Sequence, residues 1–171
     1  MFSIRELHSY SSRVRANFVG KLSELSWADL EKNREASFHS MKNILVHMIE
    51  NEEWIVNCVI PGRTAEYKRK KPEEYRNMQA ILDYLNEVEK KTETYLRNAD
   101  EKEMKRRVKL TLRTGDEVEI SAEEWLFQSF TEQLYHLGEL IALMWQDNIE
   151  PPRMQWFWIN PRDGTKLGSE T

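Results

Sequence analysis

The chain has 171 residues, with 25 Lys and Arg against 29 Asp and Glu, and a formal net charge of −4. That length suits one domain burying roughly 70% of its unfolded surface. The 40% apolar and 11% aromatic composition, with six Gly and five Pro, excludes disordered and collagen-like chains. Mild acidity argues against a general nucleic-acid binder, and no apolar run approaches the roughly 18 residues a membrane helix needs. The opening MFSIRELHSYSSRVRANF mixes charged and polar residues where an export signal needs an apolar core. The single Cys58 cannot form an intramolecular disulfide. A cytoplasmic protein is the expectation.

Helical periodicity dominates. Ile4, Leu7, Ser11, Val14, Phe18, Leu22 and Leu25 recur at steps of three and four, predicting a first helix over about 3–25. Ser26 then caps a short extra turn, SWADLEK. A second helix is predicted over about 40–60, ended by Pro61-Gly62. The basic run RTAEYKRKK at 63–71 lacks aromatic interleaving and a glycine-rich cradle, so it reads as a solvated connector rather than an anion site.

Pro72 with Glu73 and Glu74 suits a helix start, and Tyr75, Met78, Leu82, Leu85, Thr92 and Leu96 carry a third helix over about 72–98. Period-two alternation on either side of Thr114-Gly115-Asp116 predicts a β-hairpin over about 107–120. Ser121 and Glu124 form a capping-box pattern, opening a fourth helix over about 122–147. Pro151-Pro152 ends it, an extended aromatic tail RMQWFWINP follows, and GTKLGSET reads as frayed. The tail's WFW run at 156–158 suits packing over an end of the helices. The fold expected is all-α: one domain over 1–171, a four-helix bundle with a small hairpin between its third and fourth helices.

Few residues carry recognisable chemistry. On the second helix, Ile44, His47, Asn51, Trp54 and Cys58 share a stripe; on the fourth, Glu132 and His136 lie one turn apart on one face. A carboxylate and an imidazole at that spacing, with His47 facing them, would surround a divalent metal and leave positions open. The same spacing serves an ordinary hydrogen-bonded pair with a core histidine opposite. Glu50 and Asn51 are placed to orient His47, whereas Glu52, turned some 140° from it, reads as an anchor to a neighbouring helix. Tyr135 and Glu139 read as packing or helix-surface residues, His8 and His39 as structural or exposed, and Cys58 as a buried inert thiol.

Two strings add a family resemblance. NILVHMIENEEWIV at 43–56 resembles the helix of DinB-like proteins that carries a ligand histidine. SAEEWLFQSFTEQLYHLGELIALMWQDNIEPP at 121–152 is similar to their last long helix, with a hairpin before it and prolines after. The resemblance implies a helical bundle and a divalent-metal site (Zn, Ni, Fe or Mn) at His47, Glu132 and His136. It implies a metal-dependent hydrolase or a thiol S-transferase, activating water or a low-molecular-weight thiol. It also implies a small-molecule substrate and a homodimer, with no catalytic residue assigned beyond the ligands. The family's middle ligand is usually His, and here Glu132 stands there, which lowers the site's charge and weakens the ion as a Lewis acid. The alternative is a non-enzymatic, stress-related ligand-binding or interaction module that has lost its metal.

Overall fold

The computed structural model of the chain describes residues 3–159. Helix α1 (Ile4–Ser23) opens on Ser3, whose hydroxyl and Glu6 complete a capping box, and α2 (Trp27–Glu31) is the short turn capped by Ser26. Helix α3 (Met41–Trp54) runs into a π-helical turn at Ile55–Val59. That turn's wider winding rotates Ile55, Val56, Val59 and Ile60 into the core. Gly62, at φ +74°, then ends the segment.

The third long helix, α4 (Met78–Asn98), starts six residues later than the sequence predicts. Pro72–Glu74 makes only a single 3-10 turn and Tyr75 is extended, because the side chain of Asn77 accepts from Ala80 N–H and supplies the real cap. Tyr75 is nonetheless buried, delivered to the core by the loop rather than by a helix face.

A short α5 (Glu101–Lys105), absent from the sequence reading, precedes strands β1 (Arg107–Thr111) and β2 (Glu117–Ser121). The strands pair antiparallel with Val108 opposite Ile120 and Leu110 opposite Val118, around Gly115 at φ +90°. Ser121 and Glu124 form the predicted capping box of α6 (Ala122–Gln146). Residues 156–159 form one helical turn, α7 (Trp156–Ile159), not an extended tail: Trp156 packs on Tyr10 and the Tyr10 hydroxyl donates to the Met154 carbonyl. This end therefore covers α1. The tail beyond Ile159, including GTKLGSET, lies outside the described residues.

The described chain is mostly helical with one two-stranded sheet. Helix α6 packs against α1 and α3, and α3 packs against α4. Two apolar clusters form. One gathers Val14, Phe18 and Leu22 of α1, Ile44 to Ile49 of α3, Ile81 to Val88 of α4 and Leu137 to Met144 of α6. The other joins Ile4, Ile55 to Ile60, Leu96, Val108 and Ala122 to Phe130 near the hairpin. On three of the long helices a buried polar residue falls between the two clusters, Glu52, Thr92 and Gln133, and the buried Arg15 of α1 lies within the first. No helix among the described residues is long and apolar enough to cross a membrane.

Candidate metal centre

Helices α3 and α6 bring His47, Glu132 and His136 together, the grouping the family resemblance implies. One ligand atom from each lies within 4.8 Å of the others. The Glu132 Oε1 is 3.6 Å from His47 Nε2 and 3.8 Å from His136 Nε2. A tetrahedral ion with ligands about 2.1 Å away would space them roughly 3.4 Å apart. The two gaps to Glu132 need to close by a few tenths of an ångström, and the imidazole nitrogens, within 4.8 Å of each other, by up to about 1.4 Å. Two imidazoles with one carboxylate form a donor set suited to zinc, nickel, iron or manganese.

The second nitrogen of His136 strengthens the fit. His136 Nδ1 is 2.6 Å from Glu139 Oε2, and the Ser37 hydroxyl donates to the same oxygen at 3.0 Å. A carboxylate can only accept, so Nδ1 carries the proton and Nε2 turns its lone pair toward Glu132 and His47. Glu139 thus orients the His136 ring, a role beyond the packing or helix-surface one read from the sequence; its position three residues after His136 was the available signal. His47 is oriented differently, by stacking on Phe38 with ring centroids 4.0 Å apart. The loop before α3 presents that ring: Asn43 donates to the Phe38 carbonyl at 2.9 Å, and Arg34 N–H to His39 O at 2.6 Å. The positive φ of the exposed His39 turns the chain there.

Contact with His47 is the main influence holding the Glu132 carboxyl below its ordinary range; partial burial opposes it, and the Gln128 and Asn51 side chains assist. Asn51 therefore serves Glu132 rather than His47. Glu50 turns away to Arg69, accepting from its Nε at 3.2 Å, and burial pushes its carboxyl up against that partner's pull. The triad opens outward into a cavity of about 560 Å³ walled by Phe38, Gln128, Thr131 and Tyr135.

Glu52 is an anchor, as predicted. It is sealed between helices with the wholly buried Arg15, 2.6 Å away, and accepts from Thr92 Oγ1 at 2.6 Å and Gln133 Nε2 at 2.7 Å. Arg15 also reaches Gln133 Oε1 and Glu89, each at 2.7 Å. The sequence reading missed Arg15, although it stands four residues after Ser11 and three before Phe18, on the core stripe. His8 and His39 are structural and exposed respectively, and Cys58 is buried, with burial pushing its thiol up.

A family model described as the DinB family matches residues 1–161. The chain belongs to the DinB family. No curated protein matches it. Within this DinB-family chain, the triad falls on the two helices that carried the resemblance.

Proposed function

We propose that this protein is a single DinB-like domain over 1–171, a four-helix bundle that holds one divalent cation through His47, Glu132 and His136. Its activity on this reading is hydrolysis, or transfer of a low-molecular-weight thiol to a small electrophile. The observation that carries the reading is the Glu139–His136 contact, which commits Nε2 to the face shared with His47 and Glu132. Zinc, nickel, iron or manganese there would supply a Lewis acid that lowers the pKa of a bound water or thiol. Glu139 and Ser37 fix the His136 ring, Phe38 restricts His47, and Glu132 brings the negative charge that offsets the cation. Gln128, Thr131 and Tyr135 border the approach for a substrate.

The alternative, a non-enzymatic binding module without metal, is favoured by one feature: Glu132 lies 3.6 and 3.8 Å from the two imidazole Nε2 atoms and can partner either ring without an ion. Elemental analysis of untagged protein, beside His47→Ala, separates the two. About one equivalent of metal in the native chain, lost in the variant, is expected. No metal after reconstitution with excess ions overturns the enzymatic reading and leaves the binding module.

The setting we propose is cytoplasmic, where Cys58 stays a thiol, with no nucleic-acid partner. A homodimer is supported by the solvent face of α6. Phe127 and Trp145 are more than half exposed and stand about five turns apart on one stripe, with Gly138 between them. Light scattering after size exclusion should give a dimer mass that Phe127→Glu with Trp145→Glu reduces to the monomer; a native monomer would refute it.

A further inference from the structure

A second cavity, about 700 Å³, lies behind His47. Its floor is His47, Glu50, Asn51 and Trp54 of α3; the connector covers it with Thr64, Ala65, Tyr67 and Arg69, and the hairpin with Leu110 to Arg113. The connector is therefore not simply solvated: Tyr67 packs on Trp54 with ring centroids 5.0 Å apart, and Arg69 holds Glu50. The volume falls in the range of small-molecule sites.

Its floor carries two orphaned acceptors. Glu50 is only 3% exposed, and while Oε2 accepts from Arg69, Oε1 has no partner among the described residues. Asn51 Oδ1 is likewise buried and unpartnered, its amide being turned to Glu132. Buried acceptors without donors are costly, and two on residues lining one cavity call for a group bringing several N–H bonds. At the hairpin wall Arg113, exposed and with no ion pair among the described residues, supplies a cation. Between these ends the walls are apolar: Trp54, Tyr67, Leu110 and Leu112.

We propose that this cavity binds a small amino-acid-like ligand, its ammonium on Glu50 Oε1 and Asn51 Oδ1, its carboxylate on Arg113 and its apolar body against Trp54 and Leu112. As a substrate site it rests on the metal reading, since His47 walls both this cavity and the triad's open face. As a binding site it stands without the ion. An ammonium completes a carboxylate that Arg69 satisfies on one oxygen only, and a charge-assisted bond to a buried group is the strong kind.

The test uses the full chain, stripped of metal, and three matched probes followed by NMR titration: L-phenylalanine, 3-phenylpropionate, which lacks the amine, and phenethylamine, which lacks the carboxylate. L-phenylalanine should bind about tenfold tighter than either, the worth of one charge-assisted contact. Glu50→Gln should erase its advantage over 3-phenylpropionate while leaving the affinity for the latter unchanged. Arg113→Ala, at an exposed position that puts folding at no risk, should erase the advantage over phenethylamine. Equal binding of all three probes, binding of none, or an amine preference that survives Glu50→Gln would each overturn the proposal. Metal content is measured on parallel samples: a chain that takes up no metal yet keeps the amine preference refutes the metal centre and upholds this cavity.

Discussion

Glu132 and Gln133 are neighbours on α6, and His47 and Glu52 lie five residues apart on α3, yet the two pairs belong to opposite environments. Gln133 and Glu52 meet Arg15 and Thr92 in a layer where the charge is balanced and both Glu52 oxygens are occupied. His47 and Glu132 meet His136 at an open face where the ligand atoms approach without closing on one another. A cluster whose buried carboxylate is fully occupied holds helices in register, although Arg15 Nε itself has no partner among the described residues; a cluster with fixed ring orientations and open ligand atoms leaves valence for something else. Acidity of the residues does not separate the two, since each contains a glutamate within reach of a cation or imidazole. Burial and the number of available donors do.

The sharpest way to break this comparison is to unbalance the sealed layer. Glu52→Ala leaves Arg15 buried with Glu89 as its remaining carboxylate, and should cost about 3 kcal/mol in chemical denaturation while metal stoichiometry stays unchanged. Arg15→Met with Glu52→Leu should recover part of that loss, because no lone charge is then left buried. If Glu52→Ala instead removed the metal and spared stability, the roles assigned to the two clusters would be reversed.

A smaller effect is expected at Glu139. Its replacement by Ala frees the His136 tautomer, and metal affinity, measured by competition with a chromophoric chelator, should fall about tenfold to a hundredfold. Folding stability should barely change, since Glu139 is half-buried and outside the sealed layer. An unchanged affinity would return Glu139 to the role of a surface residue.

The smallest effect is the response to acid. Burial holds His8 below its ordinary value, with Arg15 adding to this and Glu52, Glu93 and Glu89 opposing it. Its contribution to stability is therefore complete above the unfolded value near about 6.5 and is lost as pH falls through the lower folded value. For Glu52, burial pulls upward, but Arg15 and the Thr92 hydroxyl outweigh it and hold the carboxyl low. That contribution is present above about 4.3 and lost further into acid. Denaturation at pH 7.5 and 5.5 should show a modest fall, and His8→Gln should flatten it; a native chain equally stable at both values would contradict the account of His8 as a buried neutral imidazole.

Much of this was legible in the residues. The stripes of α1 and α6, the caps at Ser26 and Ser121 and the hairpin around Gly115 follow from periodicity and local hydrogen bonding, which act over a few residues; that His47 meets Glu132 and His136 was implied only by the family resemblance. The start of α4 was misplaced because Pro72 and Asn77 both offer local start signals, and the side-chain cap at Asn77 prevailed. The turn at Trp156 was missed because packing on Tyr10, far away in the chain, shapes it.

Sequence alone determined the four long helices, their apolar faces and the three residues whose chemistry suits a metal. Only the tertiary structure decided that Arg15 closes on Glu52, that Glu139 sets the His136 ring, and that Glu50 and Asn51 present unpartnered oxygens to a cavity under the connector. Periodicity reports which side of a helix a residue occupies. Whether its polar atoms are then satisfied depends on donors arriving from other helices, and no spacing along one chain segment encodes that.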